Sequence, residues 1–160
     1  MKIVRAAKVD LSEILSLQYS AYQSEAELLN NYNLPPLKQT LSDLQAEFDK
    51  QIFLKAIDDA GSLVGSVRYL SEGDTVYIGK LIVNPLFQRR GIGTKLLLAV
   101  EELCPNERYE LFTSNKSFKN ISLYERLGYK IFAEKSVEED LTFVYLEKIN
   151  RRVSASDSTK

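Results

Sequence analysis

Apolar positions recur along this chain in two rhythms, one with a period near 3.6 and one near 2, and the switches between them mark out the elements. Residues 2–6 read as a short first strand. Asp10 stands where a helix would be N-capped, and Glu13 three residues on would complete a capping box. Leu11, Ile14, Leu15 and Leu17 then carry helical spacing through about Tyr22. Residues 24–38 stay ambiguous: Glu25 to Leu29 could add helical turns, and Pro35-Pro36 forces a break. Thr40 opens a further helix over Leu41, Leu44 and Phe48, with Asp43 in its first turn.

From Gln51 the rhythm becomes strand-like. Gln51–Ile57 and Leu63–Leu70 flank the turn Asp58-Asp59-Ala60-Gly61, and Glu72-Gly73-Asp74 turns again into Thr75–Val83. In that last run Val76 and Ile78 share one parity and Leu81 and Val83 the other, with Gly79 at the break. A phase slip at a glycine predicts a bulge between Gly79 and Val83 that frees backbone N–H or C=O groups. The side chains of Leu81 and Val83 are expected in the core. A helix from Gly91 to Leu103 is expected to bury Ile92, Leu96, Ala99, Val100 and Leu103 and to stop at Pro105. Arg108–Ser114 is a strand, Ser117–Leu127 a helix closed by Gly128, and Tyr129–Ala133 and Leu141–Ile149 two final strands. Arg151–Lys160 is polar and aperiodic and reads as a tail. This order predicts an α+β fold: one domain over residues 1–149 with a mixed central sheet, splayed at the bulge and flanked by helices, then a polar tail over 150–160.

The densest chemistry lies at Gln88-Arg89-Arg90-Gly91-Ile92-Gly93-Thr94, between a strand and a helix. A Gly-x-Gly at a helix entrance leaves backbone N–H groups uncovered at the positive end of the helix dipole, and no Cβ blocks an approaching anion. Arg89 and Arg90 add positive charge. The physical expectation is a phosphate or pyrophosphate cradle. It is not a dinucleotide fingerprint, because position 96 is Leu, and not a P-loop, because Thr94 precedes Lys95.

Composition narrows the chemistry further. The 160 residues carry a formal net charge of −1 and a sequence pI near 5.6, which argues against nucleic acid as a partner. Cys104 is the single cysteine, so there is no intrachain disulfide or cysteine metal cluster. The chain has no histidine, which removes His-dependent triads, His-ligated zinc and His bases together. No run is long enough to span a membrane and no apolar signal region opens the chain, so a cytoplasmic protein without metal or membrane partner is expected.

The glycine string matches the pattern Q/R-x-x-G-x-G/A of the GNAT superfamily of acyl-coenzyme-A-dependent N-acyltransferases. The likeness extends upstream to Leu81-Ile82-Val83-Asn84-Pro85. Downstream, Asn120-Ile121-Ser122-Leu123-Tyr124-Glu125-Arg126-Leu127-Gly128-Tyr129 resembles the family's LYEKLGF segment. The resemblance covers residues 1–149. It implies the GNAT fold, acetyl-CoA as cosubstrate and acetyl transfer to a primary amine of a small molecule or peptide, with a homodimer left open. Residue by residue it implies pyrophosphate contacts from Arg89, Arg90, Gly91, Ile92, Gly93 and Thr94, with Gln88 also in the cofactor site. Leu81, Ile82 and Val83 would give backbone contacts to pantetheine, in the slot made by the splayed strand. Tyr124 would be the acid that protonates the departing thiolate.

Two departures from the family pattern matter. Many members carry Asn seven residues before the tyrosine; this chain has Ser117 there and Asn120 where Ala is common. Asn115, Ser117 and Asn120 are therefore the candidates for contacts to the coenzyme arm, against helix capping as the plainer role. Members often carry Glu on the central strand where this chain has Tyr77, so a base is not evident. The amine's proton could leave through water, Tyr22, Glu25 or Glu27, and Tyr22, Glu25 and Tyr77 are the candidate acceptor contacts. The segment Gln18 to Thr40 is expected to shape the acceptor pocket, with Tyr19, Tyr22 and Tyr32 as walls. A core tyrosine and a solvated acidic face are the plainer roles of Tyr124 and the glutamates. A non-catalytic coenzyme-A sensor or interaction module on the same fold is the alternative function, since a fold does not fix a chemistry.

Overall fold

A computed structural model describes residues 1–150; the expected tail lies, from Arg151 on, outside the described residues. Among the described residues seven strands form one mixed sheet in the order β1-β2-β3-β4-β5-β7-β6. The chain divides into two compact units, one of Met1–Leu70 with Lys80–Ala99 and one of Ser71–Gly79 with Val100 onward.

In the first unit, β1 (Lys2–Arg5) pairs antiparallel with β2 (Ile52–Ile57), and β2 with β3 (Leu63–Glu72). The Asp58 carboxylate closes the β2–β3 turn by accepting from the Ala60 and Ser62 amides. Helix α1 (Leu11–Leu29) buries Leu11, Ile14 and Leu15 against Ala6, Leu44 and Phe53. It runs unbroken past Tyr22 and ends at Asn30, whose left-handed φ of 51° suits an asparagine C-cap. Asp10 does not form the expected box with Glu13. Its oxygens accept instead from the Ala7 amide and the Lys55 ammonium, across a one-turn 3-10 segment at Lys8–Asp10. Pro35-Pro36 do break the chain, yet they also start a helical turn, α2 (Pro35–Lys38), because proline tolerates the first helical positions. Helix α3 (Leu41–Phe48) opens on the Thr40–Asp43 capping box.

Strand β4 (Thr75–Val83) crosses from one unit to the other. Val76, Ile78 and Ile82 are buried while Leu81 and Val83 are half-buried. The buried apolar side chains thus keep one parity, although Thr75 is buried too, and Leu81 and Val83 are not the core positions. Within the segment where a bulge is expected, Lys80 is left-handed, with φ 45°, and Gly79 is not among the positive-φ residues. Helix α4 (Ile92–Leu103) buries Ile92, Leu96, Leu97 and Val100; Ala99 is half-buried and Leu103 faces solvent, contrary to expectation.

In the second unit, β4 pairs in parallel with β5 (Arg108–Ser114) through Thr75, Val76 and Tyr77, and β5 pairs antiparallel along its length with β7 (Leu141–Ile149). Helix α5 (Phe118–Arg126) ends in two bonds, Gly128 N–H to Glu125 O at 3.1 Å and Tyr129 N–H to Tyr124 O at 3.0 Å. That pair is the Schellman closure, and the φ of 98° at Gly128 is what requires glycine there. Strand β6 (Lys130–Glu138) runs well past Ala133, as an exposed edge strand whose polar second half carries no apolar alternation.

Candidate active site

The loop before α4 is built by three local devices. Asn84 caps a 3-10 turn at Pro85–Phe87 and ties its own amide to Val64 O at 2.9 Å. Arg89 (φ 64°) and Gly91 (φ 77°) are both left-handed, on either side of Arg90. Alternation of this kind curls successive N–H groups toward one concave side. The first α4 bond runs from Lys95 N–H to Gly91 O at 3.0 Å, so the amides of Ile92, Gly93 and Thr94 lie ahead of the helical ladder. A Cβ at Gly91 would meet nothing within 4 Å. Within the protein, glycine is therefore required there by its φ and not by a close neighbour. Gln88, Arg89 and Arg90 are exposed, and the Arg90 guanidinium sits 4.9 Å from the Phe87 ring centroid. The helix reaches its place because Gly65 on β3 has no side chain. A Cβ there would come within 2.9 Å of Ile92 Cγ2 and 3.0 Å of Leu96 Cδ1.

The same unit holds a polar cluster that sequence reasoning missed. Arg68, on β3 and only 2% exposed, donates to Glu47 and to the Gln18 side chain, and lies 4.7 Å from the Phe53 ring. Glu47 Oε1 also accepts from Gln39 at 2.7 Å and from the Lys80 ammonium at 3.1 Å. Lys80 reaches Gln39 Oε1 at 3.2 Å as well. Burial pushes the Glu47 carboxyl up, but Arg68 and Lys80 outweigh it and hold it below the usual carboxylate range. Burial, reinforced by Arg68, pulls the Lys80 ammonium below the ordinary lysine range against the pull of Glu47. A lysine in the left-handed region stores on the order of 1 kcal/mol of strain. The signals were a lone arginine in an apolar strand run and a glutamine on the buried face of α1, four residues after Ile14.

Of the candidate acceptor contacts, Tyr22 and Glu25 lie in this unit, both half-buried. Burial and then Glu25 push the Tyr22 phenol up to about 12, against the pull of Arg68. Tyr22 is thus a hydroxyl donor at neutral pH, not a base. The Tyr19 hydroxyl donates to Gln39 O, and Tyr32 is exposed.

The second unit holds Tyr77, exposed on β4, and the β5–α5 corner. Tyr124 is the buried residue of α5, its ring 6.3 Å from that of Tyr129. Asn120 is half-buried and donates to Thr113 Oγ1 at 3.4 Å. Asn115 is exposed, with its amide bonded to Thr142 O. Ser117 is buried and stands at the α5 N-cap position without a capping bond from its side chain. Behind Tyr124, the Tyr129 hydroxyl donates to Glu101 at 3.0 Å and Lys148 reaches the other Glu101 oxygen at 2.7 Å.

The family model described as "Acetyltransferase (GNAT) family" matches residues 10–129. The protein YqkA of Bacillus subtilis is 29% identical over 119 residues, which is 74% of this chain and 34% of YqkA; the match therefore spans about a third of that relative's length. An uncharacterised N-acetyltransferase of Bacillus methanolicus is 34% identical over 52% of this chain and 73% of its own. The PaiA N-acetyltransferase of Thermoplasma acidophilum, solved in complex with coenzyme A, superposes with a TM-score of 0.77 at 16% identity, covering 93% of this chain and 98% of that one. Among the described residues no helix is long and apolar enough to cross a membrane.

Proposed function

This chain belongs to the acetyltransferase (GNAT) family, and on that premise we propose that residues 1–149 act as one domain that moves an acetyl group from acetyl-CoA to a primary amine. The observation that carries the proposal is the left-handed pair Arg89 and Gly91, which sets three uncommitted α4 amides behind an exposed, arginine-bearing loop. That arrangement fits a pyrophosphate. The amides of Ile92, Gly93 and Thr94 would bind it, with Gln88, Arg89 and Arg90 around it. The backbone of Leu81, Ile82 and Val83 would hold the pantetheine arm, and Asn115, Ser117 and Asn120 would contact it. The amine attacks the thioester carbonyl directly, so this chain contributes positioning and amide hydrogen bonds to the carbonyl oxygen. Tyr124 would give its proton to the leaving sulfur. A phenol with a pKa of about 10 can do so for a thiolate near 8.5 when the two are held in contact.

The test is thermal. Coenzyme A at a hundredfold excess over its Kd should add about 2.7 kcal/mol of stability, less at high salt because charge carries part of it. Gly91→Val has room for its side chain but not the φ, so it should stay folded and lose the shift. An unchanged shift in Gly91→Val sinks the cradle. A shift without thiol release across a broad amine panel leaves the chain a coenzyme-A sensor rather than a transferase.

A further inference from the structure

Two cations share one carboxylate in the first unit, and only one of them can reach a ligand. Arg68 is 2% exposed and committed to Glu47 and Gln18 and, at 3.5 Å, to Gln39. The Lys80 side chain is 24% exposed. Its ammonium has three N–H directions, of which Gln39 and Glu47 take two. Arg68, Lys80 and Glu47 together carry one excess positive charge. The backbone holds Lys80 in the left-handed region, which a lysine adopts only when its surroundings impose it.

We infer that the acceptor is a small amine bearing a carboxylate, of the amino-acid class, and that the Lys80 ammonium receives that carboxylate. The inference rests on the acetyl-transfer proposal above and names the substrate class of the same site. Lys80 immediately precedes Leu81, the first residue assigned to the pantetheine arm. A carboxylate held on its ammonium therefore keeps the attached amine beside the segment that would carry the thioester. One ammonium with one remaining donor direction matches one negative charge. The Tyr22 phenol, raised to about 12 mainly by burial, stays protonated and adds no negative charge to this unit.

The experiment measures thiol release from acetyl-CoA with amino acids, their α-amides and their decarboxylated amines, beside polyamines and peptide N-termini. The wild-type chain should show a KM at least tenfold lower for an acid than for its amide. Lys80→Met should bring the two together while leaving the KM for acetyl-CoA unchanged, and Lys80→Arg should keep most of the preference. If Lys80→Met does not fold, Lys80→Gly, which suits the left-handed backbone, gives the same comparison. Equal use of acid and amide by the wild type, a preference that survives Lys80→Met, or turnover confined to amines without a carboxylate overturns the assignment and leaves acetyl transfer standing. Coenzyme-A binding with no turnover of any amine removes the transferase proposal itself, and the assignment with it.

Discussion

Each unit contains a half-buried glutamate at the centre of a polar network, and the two networks are balanced differently. In the second unit, Glu101 is shared by one cation, Lys148, and one hydroxyl, Tyr129, so the charges cancel. In the first, Glu47 is shared by two cations, Arg68 and Lys80, and a positive charge is left over. The same contrast holds for the backbone. The left-handed position that closes α5 is occupied by Gly128, where it costs little, whereas the one in β4 is occupied by Lys80. A neutral network closed by a glycine holds a helix in place. A charged network hung on a strained residue keeps a cation available at the surface.

The largest effect should come from uncoupling Glu47. Arg68 is too deeply buried to recover water, and removing one partner of such a pair costs about 3 kcal/mol. Glu101→Gln leaves Lys148, which is partly exposed, free to reach solvent and should cost only about 1 kcal/mol. Denaturant midpoints of Glu47→Gln and Glu101→Gln measured side by side decide this. Equal losses would mean that the two networks do the same structural job.

The next contrast lies within the second unit, between two tyrosines whose rings are 6.3 Å apart. Tyr124→Phe should lower kcat about a hundredfold, the scale of losing one positioned proton donor, with little change in KM for acetyl-CoA. A thioester with a better leaving group should recover most of that loss. Tyr129→Phe breaks the bond to Glu101, and burial together with Glu101 keeps the Tyr129 phenol above its ordinary range, so its role is that of a permanent donor. It should lower the melting temperature and keep kcat. If Tyr124→Phe behaves like Tyr129→Phe, Tyr124 is a packing residue and the family's role does not transfer.

What could be read in the sequence was local. The glycine loop of the proposed cradle lies in seven consecutive residues, and the spacing of Tyr124 to Gly128 is one helical turn, so both patterns are legible in the sequence. The strands facing a core on one side were found by alternation. The second half of β6, Glu134 to Glu138, is exposed on both faces at the sheet edge, so alternation had nothing to report. Helix α1 was cut short because Gln23, Ser24 and Glu25 interrupt the apolar rhythm although the helix continues. The Arg68 cluster draws Gln18, Gln39, Glu47 and Lys80 from four separate segments, and ion pairs between segments leave no spacing in a sequence. Gly65 was passed over for the same reason: the helix that needs its missing side chain begins 27 residues later, at Ile92.

A smaller effect should appear with pH. The folded carboxyl of Glu47 lies below its ordinary value of 4.5, so its contribution is complete above that value and is lost as pH falls through the folded one. The stability gap between the wild-type chain and Glu47→Gln should therefore be constant from neutral pH down to about 5 and then narrow in more acidic solution. A gap that widens on acidification would contradict the depressed pKa.

The smallest effect separates strain from charge at Lys80. Lys80→Met and Lys80→Gly both remove the ammonium, and with it a partly exposed pair to Glu47 that contributes about 0.5 kcal/mol. Methionine keeps a Cβ and so keeps the strain of a left-handed residue at φ 45°. Glycine relieves that strain, on the order of 1 kcal/mol, and gives part of it back through the greater freedom of its unfolded chain. Lys80→Gly should thus be more stable than Lys80→Met by about 0.5 kcal/mol, and close to the wild-type chain. Denaturant titration with replicate midpoints resolves a gap of this size. Gly128→Ala is the matching control, because it creates in the second unit the strain that Lys80→Gly removes in the first, and it should lower stability by about 1 kcal/mol. If Lys80→Met equals or exceeds Lys80→Gly while Gly128→Ala behaves as stated, the left-handed conformation at Lys80 is not held against its preference. The contrast between the units then reduces to charge alone.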